Sequence, residues 1–62
     1  SVTIIGKSSS YCDALSTACF ALGKEEGMEL INDMDGYYAI FITDDYKLHL
    51  SNGAETALKI SY

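Results

Sequence analysis

At 62 residues the chain has room for one domain at most, and a domain this small buries only about 60% of the surface its unfolded chain exposes. Four lysines, no arginine and nine acidic residues give a net charge of −5, which excludes a surface built to track nucleic-acid phosphates. The longest apolar runs, about six residues, are too short to span a bilayer, and no charged n-region followed by an apolar h-region opens the chain.

With 48% hydrophobic residues and no proline, the composition is that of a globular segment and not of a disordered one. The first residue is not methionine, and the chain enters directly on a strand-like run, so a single segment cut from a larger domain is expected over residues 1–62. A staple would help so small a core, but Cys12 and Cys19 do not offer one. Seven residues apart on one helix, their Cα atoms should lie about 10 Å apart along its axis, beyond the roughly 7 Å that a disulfide bridges. Both are expected to behave as small buried hydrophobes, and Cys-x6-Cys with one distant histidine matches no zinc pattern.

In chain order, Val2-Thr3-Ile4-Ile5 is a β-branched strand closed by Gly6, and Lys7 to Ser10 is a polar loop. Ser10 as N-cap would place Asp13 at the third helical position, the carboxylate form of a capping box. The helix should run from Tyr11 to about Leu22 and stop at Gly23 in the left-handed conformation. Its apolar residues Tyr11, Cys12, Ala14, Leu15, Ala18, Cys19, Ala21 and Leu22 cover half the circumference or more, the mark of a helix buried against a core. The remaining polar seam holds Asp13, Ser16 and Thr17, with Phe20 at its end.

A second helix is expected from Lys24 to about Asp33, with Glu25 and Glu26 suiting the dipole in its first turn and Met28, Leu30, Ile31 and Met34 on its apolar side. Gly27 inside it costs about 1 kcal/mol relative to alanine. Tyr37 to Thr43 is a continuous apolar run, read as the centre of a sheet or a strand covered on both faces. Asp44-Asp45 turns the chain, and Tyr46 to Leu50 alternates with period two, with His49 on the exposed side between Leu48 and Leu50. After the break at Ser51-Asn52-Gly53, residues 57–61 are expected to add a short strand with Leu58 and Ile60 inward. The sum is an α+β segment of order β-α-α-β-β, two helices on a mainly antiparallel sheet.

Asp13 and Thr17 stand i, i+4 on the one polar seam, so their side-chain oxygens can converge. Magnesium takes hard oxygen ligands and often needs only one or two protein groups beside substrate phosphates and water. The spacing equally admits a structural role, with Asp13 completing a cap with Ser10 and Thr17 bonding a carbonyl one turn back.

Asp13-Ala14-Leu15-Ser16-Thr17-Ala18, followed by Phe20-Ala21-Leu22-Gly23, resembles the D-A-L-[AS]-T-A helix of the ApbE flavin-transferase family. Val2 to Ile5 resembles the strand feeding that helix, Lys24-Glu25-Glu26-Gly27 the start of the next, and Tyr37 to Ser51 the closing hairpin. The resemblance implies an FAD:protein FMN transferase, moving FMN from FAD to a threonine or serine hydroxyl of a target flavoprotein with release of AMP. It implies that Asp13 and Thr17 bind Mg2+, that upstream flavin-binding residues and a third protein ligand lie outside this chain, and that the parent is an extracytoplasmic, membrane-associated bacterial protein. The chain alone would then be inactive. Cys12 in place of alanine and Lys24 in place of proline are the departures.

Other residues carry structural expectations. Tyr37 and Tyr38 should pack, Asp44-Asp45 should be a solvated turn, and Ser8 to Ser10 should serve the helix start before any phosphate. A reading from another class is a noncatalytic module that self-associates through its hairpin edge. The two part on whether the seam of Asp13 and Thr17 lies open or is sealed by the chain's own core.

Overall fold

A computed structural model describes the backbone of residues 1–61 and the side chains of residues 1–59. The order is β1 (Val2–Ile5), α1 (Ser9–Leu22), α2 (Lys24–Asn32), β2 (Tyr38–Ile42), β3 (Leu48–Leu50) and α3 (Ala54–Ser61). The Cα radius of gyration, 10.6 Å, equals the roughly 10.6 Å expected of a folded chain this long. Among the described residues no helix is long and apolar enough to cross a membrane.

The three strands form one antiparallel sheet in the order β1-β2-β3, so the apolar run of β2 is central, as its composition requires. Register sorts the side chains into two faces. Val2, Phe41 and His49 lie abreast, as do Ile4 and Ala39, on the face that α1 and α2 cover. Thr3, Ile40 and Leu50 share the other face with the pair Ile42 and Leu48. The core is Cys19 of α1, Ile31 of α2, and Ala39 and Phe41 of β2, with Val2, Ile4, Leu15 and Met28 among the residues packed around it.

Two sharp features make this packing possible. Gly23 is both the last cap of α1 and the first of α2, at φ +88° and ψ 172°. That is not the left-handed helical stop expected of it but an extended conformation with positive φ that is essentially glycine's alone, and it lets α2 begin without a linker. Gly27, the costly residue of α2, is buried where the helices cross, and a Cβ there would come 2.8 Å from Phe41 Cζ and 3.2 Å from Cys19 Cβ. The β2–β3 hairpin turns through residues 44–46. The Tyr46 N–H donates to the Thr43 carbonyl at 2.9 Å, the Thr43 N–H donates to the Lys47 carbonyl at 3.1 Å, and Tyr46 sits at φ +62°. A type I turn followed by a left-handed residue is the usual three-residue hairpin loop.

Three further expectations are corrected. The last element is a helix, not a strand over 57–61. Ala54, Ala57 and Leu58 recur at helical spacing, Ala54 is fully buried, and Glu55 pairs with Lys59 one turn on at 3.4 Å; the Ile60 side chain lies outside the described residues. The phase of β3 is reversed. His49 is half-buried beside Phe41, while Leu48 and Leu50 are exposed on the face the first two helices leave bare. Finally, α1 is not buried over half its circumference. Only Cys19 is fully buried, and Tyr11, Phe20 and Leu22 are exposed, because within these residues α1 packs chiefly on β1 and α2.

Candidate metal site

α1 begins two residues earlier than the serine run suggested. Ser8 is the N-cap, its hydroxyl accepting the Tyr11 N–H at 3.2 Å. The third helical position is therefore Tyr11, and no capping box joins Ser10 to Asp13. Asp13 is carried to the fifth helical residue, past the reach of the cap, and its exposed carboxylate accepts no hydrogen bond among the described residues. The Thr17 hydroxyl does bond one turn back, donating to the Asp13 carbonyl at 3.1 Å. That bond turns the hydroxyl proton toward the helix and leaves the oxygen's lone pairs facing out.

Helical geometry puts Asp13, Thr17 and Phe20 on one stripe. At about 100° per residue, Thr17 stands roughly 40° from Asp13 around the axis and Phe20 roughly 20° to the other side. The stripe is open. Asp13 and Thr17 are exposed, and the Phe20 ring is 77% exposed. Two hollows meet at that ring. One, of about 410 Å³, is lined by Val2, Ser16, Thr17 and Phe20. The other, of about 450 Å³, lies between Phe20, Lys24 and the strand end at Phe41 to Asp44.

Asp13 and Thr17 supply one carboxylate and one hydroxyl, and no third ligand side chain joins them among the described residues. No cluster of three or more His, Cys, Asp or Glu among the described residues gathers closely enough to hold a metal. An uncommitted carboxylate and a hydroxyl with outward lone pairs suit a hard divalent cation whose remaining ligands are water and phosphate oxygens, and do not suit a closed structural zinc site.

The cysteines and the tyrosines flagged by the sequence serve packing. Both cysteines are free. Cys19 is fully buried, with its thiol 3.7 Å from the Gly27 carbonyl, and burial pushes its pKa up, which keeps it the inert thiol. Tyr37 meets Tyr11 edge-on at 6.0 Å and lies against Gly6, and Tyr38 lies against Gly53, so both tyrosines pack as expected.

One cluster escaped the sequence. In the hairpin the Thr43 hydroxyl donates to the Asp45 carboxylate, with His49 Nε2 3.4 Å from the same oxygen and the Lys47 ammonium 3.9 Å from Asp45. The Thr43 bond, first among several causes, holds the Asp45 pKa below the ordinary carboxylate range. With its proton committed to Asp45, Thr43 is a turn-builder and not a nucleophile primed by histidine. The signal was a Thr-x-Asp at the mouth of a turn, a spacing short enough for a side chain to reach its neighbour.

The chain matches the ApbE family over residues 1–41, a span that holds the whole stripe of Asp13, Thr17 and Phe20. It is similar to an FAD:protein FMN transferase of Treponema pallidum (strain Nichols), with 37% identity over 60 residues. That alignment takes in 97% of this chain and 17% of the relative's length. No solved structure matches the chain significantly.

Proposed function

The chain belongs to the ApbE family, and from that membership we propose that it forms part of the magnesium site of an FAD:protein FMN transferase. The observation that carries this is the open stripe on α1, where the Asp13 carboxylate has no hydrogen-bond partner among the described residues and the Thr17 hydroxyl stands one turn on with its proton turned away. Asp13 is neither capped nor paired among the described residues, so its carboxylate is free to take a cation.

In the proposed reaction the hydroxyl oxygen of a threonine or serine on a target flavoprotein bonds to the FMN phosphorus of FAD. The bond from that phosphorus to the AMP oxygen breaks, AMP leaves, and the hydroxyl proton is lost to solvent. A divalent cation at the site supplies charge to offset the phosphate oxygens. Asp13 contributes the negative charge and Thr17 the neutral oxygen that hold it, and the rigid helix fixes the two at one separation. Because α1 is anchored through Cys19 and Leu15 against the sheet, the stripe keeps its direction as ligands come and go. The chain spans 17% of the length of the relative it matches, so the rest of the FAD contacts belong to the remainder of the protein, and these residues alone are expected to be inactive.

The test is Asp13→Asn in the full-length protein. Asp13 is exposed and caps nothing, so the substitution should change stability by no more than about 0.5 kcal/mol. Magnesium-dependent release of AMP from FAD should nevertheless fall by about 100-fold or more, at least the loss seen when a group supporting a metal ligand is removed. Thr17→Val should weaken magnesium dependence through the second ligand. Near-wild-type AMP release by both variants across a magnesium titration would sink the assignment.

A second reading has one observation of its own. β3 is an edge strand whose Leu48 and Leu50 are exposed beside Ile42, the surface a self-associating module would use. The open α1 stripe, which the transferase reading rests on, has no part in that reading.

A further inference from the structure

Phe20 is the residue of α1 that the proposed function leaves unused. A lone exposed aromatic ring needs no explanation by itself, but this one is placed. It lies on the stripe of Asp13 and Thr17, about 4.5 Å beyond Thr17 along the helix axis, and forms the wall shared by the two hollows of about 410 and 450 Å³. Lys24 borders the second hollow. The lysines of the hairpin and α3 are paired, Lys47 with Asp45 and Lys59 with Glu55, whereas Lys24 is in no ion pair among the described residues.

A cation-binding edge, a flat apolar ring one turn away and a lysine beyond it together match the chemistry of a nucleotide, phosphate first and planar base next. We propose that Phe20 is the stacking platform for a planar nitrogen heterocycle of the dinucleotide whose phosphates face Asp13 and Thr17. This rests on the proposed function. The ring is either the adenine or the isoalloxazine, which share a flat π-face, and the geometry requires only that one of them be adjacent to the pyrophosphate.

The experiment measures equilibrium binding of FAD to the full-length protein with magnesium, for wild type, Phe20→Leu and Phe20→Trp, with a thermal melt of each. Base–aromatic stacking predicts about tenfold weaker FAD binding for the leucine variant, recovery in the tryptophan variant and unchanged melting temperatures. ADP and FMN, titrated separately, identify the ring by which of them loses affinity. Unchanged FAD affinity with a lowered melting temperature would mean that polypeptide covers Phe20 and would overturn the proposal, as would unchanged affinity and stability together. Should the leucine variant not fold, tyrosine replaces it, and FAD affinity that does not follow the order Trp, Phe, Tyr overturns the proposal. Asp13→Asn separates the two claims. If it abolishes magnesium-dependent binding while the Phe20 variants bind normally, only the stacking role fails; if the wild-type protein binds no FAD, both fail.

Discussion

Alanine in place of Gly27 sets two effects of known sign against each other. In a helix interior, alanine is favoured over glycine by about 1 kcal/mol, so the secondary structure of α2 by itself predicts stabilisation. The tertiary contact predicts the opposite. The new methyl would lie 2.8 Å from Phe41 Cζ, 3.2 Å from Cys19 Cβ and 3.3 Å from Cys19 Cα, where carbon atoms prefer about 3.5–4.0 Å. Phe41 is 5% exposed and Cys19 fully buried, so neither moves without disturbing the core packed around it. The Cys19 Cα is helix backbone, and relief requires α2 to lift from both α1 and the sheet. Overpacking of this kind costs about 1–3 kcal/mol. Subtracting the propensity gain leaves a net destabilisation of about 1 kcal/mol, which lowers Tm by about 4–8 °C in a domain of this size. Urea denaturation followed by far-UV circular dichroism, at one dilute concentration for both proteins, reads the difference directly. A Gly27→Ala midpoint equal to or above wild type would refute the tight crossing and show that helix propensity governs this position.

Ser51 is nearly fully buried, and its hydroxyl accepts the Ala39 N–H at 2.7 Å in the middle of β2. Ser51→Ala should cost about 1–3 kcal/mol by stranding that buried donor and should speed amide hydrogen exchange at Ala39, whereas an exchange rate unchanged from wild type would mean the bond contributes nothing. The isolated chain, with Phe20, Tyr46 and Leu48 all more than 60% exposed, should self-associate to cover them; light scattering that reports a 6.7 kDa monomer at high concentration would contradict this.

Much of the molecule was settled locally. The β-branched run of Val2 to Ile5, the helical period of residues 11–22, the glycine at 23 and the apolar run from Tyr37 each carry a signal within a few residues, and each element formed near its expected bounds. That Asp13 and Thr17 share one stripe was legible for the same reason, since an i, i+4 spacing on a helix fixes relative position whatever surrounds it. The last helix was legible too, from Ala54, Ala57 and Leu58, but only to a window opened at Ala54 and not at Ala57. What the local pattern left open was which side of each element faces in. Period two says that His49 and its leucine neighbours point oppositely. Only the pairing of His49 with Phe41, beneath the helices, decides that the histidine is the covered one. Three consecutive serines offered three equivalent caps, and the path of the chain from β1 into α1 selected Ser8. Gly27 looked like a weakness because its use, the close approach of Cys19 and Phe41, depends on residues 8 and 14 positions away. Propensity and periodicity are properties of neighbours along the chain, whereas burial is decided by contacts between elements distant in sequence, and a glycine's missing side chain becomes visible only when something packs into its place.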